Sequence, residues 1–75
     1  MSDLKKIKSN LHDLNLRSLA SNRELVKLSE EKIKYYTEEY TEEDKQTRIN
    51  CWKTIKNMAN NMVEELLQDI ESYHE

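Results

Sequence analysis

The 75-residue chain has no glycine, no proline and no phenylalanine, and it carries a single cysteine. Each absence excludes something. Without glycine there is no ready source of positive φ, which argues against tight hairpin turns and phosphate-cradling loops. Without proline, no residue breaks a helix by withholding its backbone donor. Strand-formers are scarce too, with two valines and four threonines, so a sheet-rich fold is not expected. One cysteine cannot close an internal disulfide, and a lone thiol fits a reducing compartment, so a cytoplasmic location is expected. The opening MSDLKKIKSNL has no apolar run of the secretory kind. No stretch approaches the ~20 apolar residues of a membrane span, so no membrane association is expected.

What remains is helix-forming: Leu, Lys, Glu, Ile and Asn dominate. Apolar residues make up 36% of the chain and charged residues another 36%. Ordering a chain costs roughly 1.5 kcal/mol per residue, which so small an apolar complement barely offsets. With no disulfide available, self-association or a stable partner becomes the expected source of extra burial. The nine lysines, seven asparagines and five isoleucines set against two alanines and three arginines fit AT-rich codons. That points to a low-GC bacterium or one of its phages.

Leu4, Ile7, Leu11 and Leu14 are spaced three and four apart, one stripe of an amphipathic helix, with Ser2 or Asp3 to cap it. The stripe then loses phase at Leu16 and Leu19. Ser21 followed by Glu24 is a capping-box pattern, so a second helix is expected from about Asn22, with Leu25, Leu28 and Tyr35 on its stripe. The alternative is one helix from 3 to 39, because a heptad counted from Leu4 survives with Ser18 and Ser21 at seam positions. The stretch TEEYTEEDK, Thr37 to Lys45, holds five of the fifteen acids. Thr41 ahead of Glu42, Glu43 and Asp44 reads as an N-cap and a first turn whose acids suit the helix dipole. A third helix is expected from there. Ile49, Trp52, Ile55, Ala59, Met62, Val63, Leu66, Leu67, Ile70 and Tyr73 fall within an arc of roughly 140° at about 100° per residue. That is wide enough to contact two neighbours. From 42 to 74 the helix would be about 50 Å long.

Charge is uneven. Residues 1–34 carry eight bases and five acids, residues 35–75 four bases and ten acids. Antiparallel packing, within the chain or across a dimer, lays the basic half beside the acidic half.

Chemistry-bearing constellations are weak. Cys51 has no local activating histidine; it reads as a small, partly buried thiol beside Trp52. His12 and His74 read as surface residues, and Cys51, His12 and His74 lack metal-ligand spacing. The acidic stretch has no calcium-loop spacing. No catalytic, cofactor or metal residues are assigned. Lys5, Lys6, Lys8, Arg17, Arg23 and Lys27 form a basic patch, but the chain's net charge is −3, and lysine outnumbers the arginine that base readout favours. Direct nucleic-acid binding is therefore not expected. RELVKLSEEKIKYY (Arg23–Tyr36) resembles the second helix of the small two-helix aspartyl-phosphate phosphatases of sporulation regulators. Their motif is S-Q-x-L-D with an essential aspartate. Here Ser29, Glu30, Glu31, Lys32 and Ile33 occupy those positions, the aspartate is missing, and the activity is not carried over.

The sequence thus predicts one domain, 1–75: an all-α, small antiparallel bundle of three helices near 3–19, 22–39 and 42–74, the third long, forming an oligomer. The predicted function is non-enzymatic: a protein-protein interaction module, regulating or inhibiting a host or partner protein in a phage or mobile-element setting. The partner would be another protein, a second copy of the chain in a homodimer, or both, with the homodimer expected. Ile49, Trp52, Ile55, Met62, Leu66, Ile70 and Tyr73 are the predicted partner or oligomer interface. Glu38, Glu39, Glu42, Glu43 and Asp44 are the predicted acidic surface. Two alternatives are a purely structural homo-oligomer and an acidic mimic of nucleic acid, the latter adding Glu64, Glu65, Asp69, Glu71 and Glu75 to that surface.

Overall fold

A computed structural model of the chain describes residues 2–73. It contains two helices, α1 (Ser2–Glu38) and α2 (Lys45–Glu71), joined by a turn over residues 39–44. They run antiparallel as a hairpin 59 Å long and about 15 Å across. The expectation of three helices is therefore corrected: the chain is all-α, but α1 is unbroken through 18–21. The predicted boundaries near residues 19 and 22 do not exist. The third predicted helix is α2, starting at Lys45 rather than 42 and ending at Glu71; His74 and Glu75, the last of the predicted helix and acidic set, lie outside the described residues.

The reason α1 continues is local. The Ser21–Glu24 pattern caps a helix only where the chain ahead of it leaves helical geometry, and with neither glycine nor proline nothing forces that departure. Two polar side chains are absorbed by the helix itself. Asn22 donates its amide to the Ser18 carbonyl at 2.8 Å, and the Ser29 hydroxyl donates to the Leu25 carbonyl at 2.7 Å. Such i to i−4 bonds let polar residues sit within a helix without competing for its ladder.

The face that α1 turns to α2 is not its leucine stripe. The inner face carries Asn15, Leu19, Asn22, Val26, Ser29, Ile33 and Tyr36, spaced four and three in turn, with Leu19, Ser29 and Tyr36 buried and the others half-buried. The expected stripe sits one residue earlier at every step (14, 18, 21, 25, 28, 32, 35). One residue is a rotation of roughly 100°, so the leucines point sideways. Leu4, Ile7, Leu11, Leu14, Leu28 and Tyr35 keep between 43% and 57% of their surface exposed.

From α2 the closing seam is Ile49, Trp52, Lys56, Ala59, Val63, Leu66, Ile70 and Tyr73, again at heptad spacing. Ile49, Ala59 and Leu66 are buried. On α1, Asn15, Asn22 and Ser29 interrupt the apolar residues of the inner face, so the core is thin: among the described residues five apolar residues and Ser29 are buried. Lys56 reaches Glu30 across the seam at 3.7 Å. At the open end His12 stacks on Tyr73 with ring centroids 4.0 Å apart. The first ten or so residues of α1 therefore run past the end of α2, an overhang of about 15 Å at helical rise.

Candidate protein-binding surface

The hairpin presents one apolar side. On α1 it is the stripe of Leu4, Ile7, Leu11, Leu14, Leu28 and Tyr35, with half-buried Leu25. On α2 the flank of the closing seam supplies Ile55, Met58 and Met62, the last two 66% and 43% exposed. These flanks meet in an open groove that Ser18 and Leu25 line from one helix and Ile55, Met58 and Met62 from the other. The two methionines give this groove deformable walls that can adapt to an incoming side chain.

The predicted interface residues divide between two places. Ile49 and Leu66 are buried in the seam that closes the hairpin, and Trp52, Ile70 and Tyr73 are half-buried there. Trp52 lies under Lys32, whose ammonium is 5.8 Å from the ring centroid. Ile55 and Met62 lie on the open groove instead. Met58 joins them and was not singled out from the sequence; its spacing of three from Ile55 and four from Met62 was the available signal. The α1 leucines are legible in the sequence as one stripe of an amphipathic helix, but they are not among the predicted interface residues.

The predicted acidic surface sits on the turn, with Glu38, Glu39, Glu42, Glu43 and Asp44 all exposed. Thr41 does not cap α2, and no acid lies in that helix's first turn; Asp44 takes the N-cap place without a side-chain capping bond. Its carboxylate is engaged elsewhere, accepting from the Tyr40 hydroxyl and from Arg48 Nε, each at 2.6 Å. These charge-assisted bonds replace the bond to the helix amides. Arg48 also lies 5.6 and 5.4 Å from the Tyr36 and Tyr40 ring centroids. Tyr36 packs edge-on against Tyr35 and Tyr40 at 5.2 and 5.0 Å. The result is a clasp that shapes a glycine-free turn. The bonds from Tyr40 and then Arg48 hold the Asp44 carboxyl below its ordinary value, and the bond to Asp44 raises the Tyr40 phenol above its own.

The candidate chemical groups are kept apart. Cys51 is exposed near the turn, not partly buried as expected, while His12 is at the open end beside Tyr73, about 30 Å away at helical rise. Among the described residues no three His, Cys, Asp or Glu side chains group to hold a metal, and no helix is long and apolar enough to cross a membrane. No family model matches the chain, and the searches of curated proteins and of solved structures find no match.

Proposed function

We propose that the protein acts by binding protein rather than by catalysis. It is a helical-hairpin interaction module that docks a helical partner on its leucine side, and through that contact assembles with or regulates the partner. One observation carries this reading: Leu4, Ile7, Leu11, Leu14, Leu28 and Tyr35 of α1 stay about half exposed, while Asn15, Asn22 and Ser29 share the seam that closes the hairpin with Leu19, Val26, Ile33 and Tyr36. Small proteins seldom leave an apolar stripe of this length open unless something covers it. Helix-in-groove docking uses anchors at this three-and-four spacing. A phage or mobile-element regulator of a host protein fits the composition.

The reading as a nucleic-acid mimic is less well supported, because Asp44 is already paired with Arg48. The test is retention on the immobilised chain, comparing wild type with the double variant Leu11→Gln/Leu28→Gln. We expect wild type to retain a protein, its own second copy included, and the double variant to lose it. Retention that is unchanged by the substitutions refutes the assignment of this face.

A further inference from the structure

We infer that the occupant of the leucine side is a second copy of this chain, laid antiparallel so that α1 packs on α1 about a two-fold axis at its midpoint. This deepens the binding-module reading and rests on it.

The stripe is self-complementary when reversed. Leu4 falls opposite Tyr35 of the second copy, Ile7 opposite Lys32, Leu11 opposite Leu28, Leu14 opposite Leu25 and Ser18 opposite Ser21; the numbers in every pair sum to 39. Leucine meets leucine, and the two small serines meet at the axis. Lys32 is no obstacle, since its ammonium already turns to Trp52 and leaves an aliphatic stem for Ile7.

The register also accounts for the overhang. Lys8 and Leu11 line a pocket with Asp69, Ser72 and Tyr73, and the part of α1 ahead of them lies alongside the turn end of the other copy's α1. Lys5, Lys6 and Lys8 then come within a turn or two of the acidic residues 38–44 of the second copy. On the flank of the stripe that faces away from α2, Arg17 lies beside Glu24 of the second copy, twice by symmetry. A like-charge meeting, Asp3 near Glu38, falls at the solvated ends, where it costs little.

The area suffices for a modest dimer. The six exposed anchors keep roughly half their surface each, on the order of 100 Å² apiece. Two copies would cover about 1,200 Å², at the lower edge of specific interfaces. The stripe and the closing seam are about 100° apart around α1, which suits the corner helix of a four-helix bundle.

The experiment is light scattering with size exclusion over a concentration series, on wild type, Ser21→Leu and Ser21→Glu. Ser21 is exposed in the hairpin, so neither substitution disturbs the closing seam. We expect a dimer dissociating in the micromolar range, at least tenfold tighter for Ser21→Leu and at least tenfold weaker for Ser21→Glu. The register is read by pulsed dipolar distances between spin labels on Asn10→Cys in a Cys51→Ser background. The antiparallel register separates the labelled positions by about 28 Å along the axis. Labels at one level would overturn it in favour of α1 packing on α2 of the second copy. A wild-type monomer at high micromolar concentration that still retains a different protein through Leu11 and Leu28 overturns self-occupancy and leaves the binding-module reading standing. A monomer that retains nothing removes both.

Discussion

Ser29 is the position whose substitution tests the packing most directly. It is fully buried, and its hydroxyl donates to the Leu25 carbonyl at 2.7 Å. In an α-helix that carbonyl also accepts the Ser29 N–H. Ser29→Ala therefore removes a donor without orphaning its acceptor, the case in which losing a hydrogen bond is nearly free. Alanine gains about 0.5 kcal/mol of helix propensity over serine. The expected change is between neutral and about 0.5 kcal/mol stabilising, or a midpoint raised by up to about 4 °C for a domain of this size. Ser29→Leu differs, because the serine is wholly covered where α1 meets α2. A larger side chain there should cost about 1–3 kcal/mol by overpacking. The assay is thermal unfolding followed by far-UV circular dichroism. Protein concentration must be fixed, since association makes the midpoint concentration-dependent. A loss above about 1 kcal/mol for Ser29→Ala would mean that the hydroxyl holds something across the seam. A stabilising Ser29→Leu would mean that α1 can rotate to bring larger apolar groups inward, and the assigned faces would be wrong.

Two further predictions concern the seam and the turn. Leu66, 6% exposed, is among the few fully apolar core residues; Leu66→Ala should cost about 2–5 kcal/mol, read as lost helicity or a much lower midpoint, and a change under 1 kcal/mol would deny it a core role. At the turn, Asp44 titrates below its ordinary value, so its contribution is present above the usual carboxylate range and is lost as pH falls through the lowered folded value. Carboxyl-resolved NMR should show Asp44 titrating below the ordinary aspartate value, with the depression abolished by the pair Tyr40→Phe and Arg48→Gln.

Much of the fold follows from composition and spacing. The absence of glycine and proline, together with three-and-four periodicity on both sides of residue 40, determined that the chain is helical and reverses between Tyr35 and Lys45; the further break expected near residues 19–22 is absent. The α2 seam through Ile49, Ala59 and Leu66 was legible because its inward residues are its apolar ones. The α1 faces were not. Hydrophobicity ranks Leu4, Ile7, Leu11 and Leu14 above Asn15, Asn22 and Ser29 as core. A capping pattern such as Ser21–Glu24 looks the same whether or not a helix starts there. Tertiary structure decided both points, by setting which side of α1 meets α2. Choosing the face with small polar residues allows the helices to close while their i to i−4 bonds satisfy Asn22 and Ser29. The same choice turns the leucines outward. Sequence by itself determined that α1 carries an apolar stripe; only the docking of α2, one residue and roughly 100° out of phase with it, made that stripe a surface.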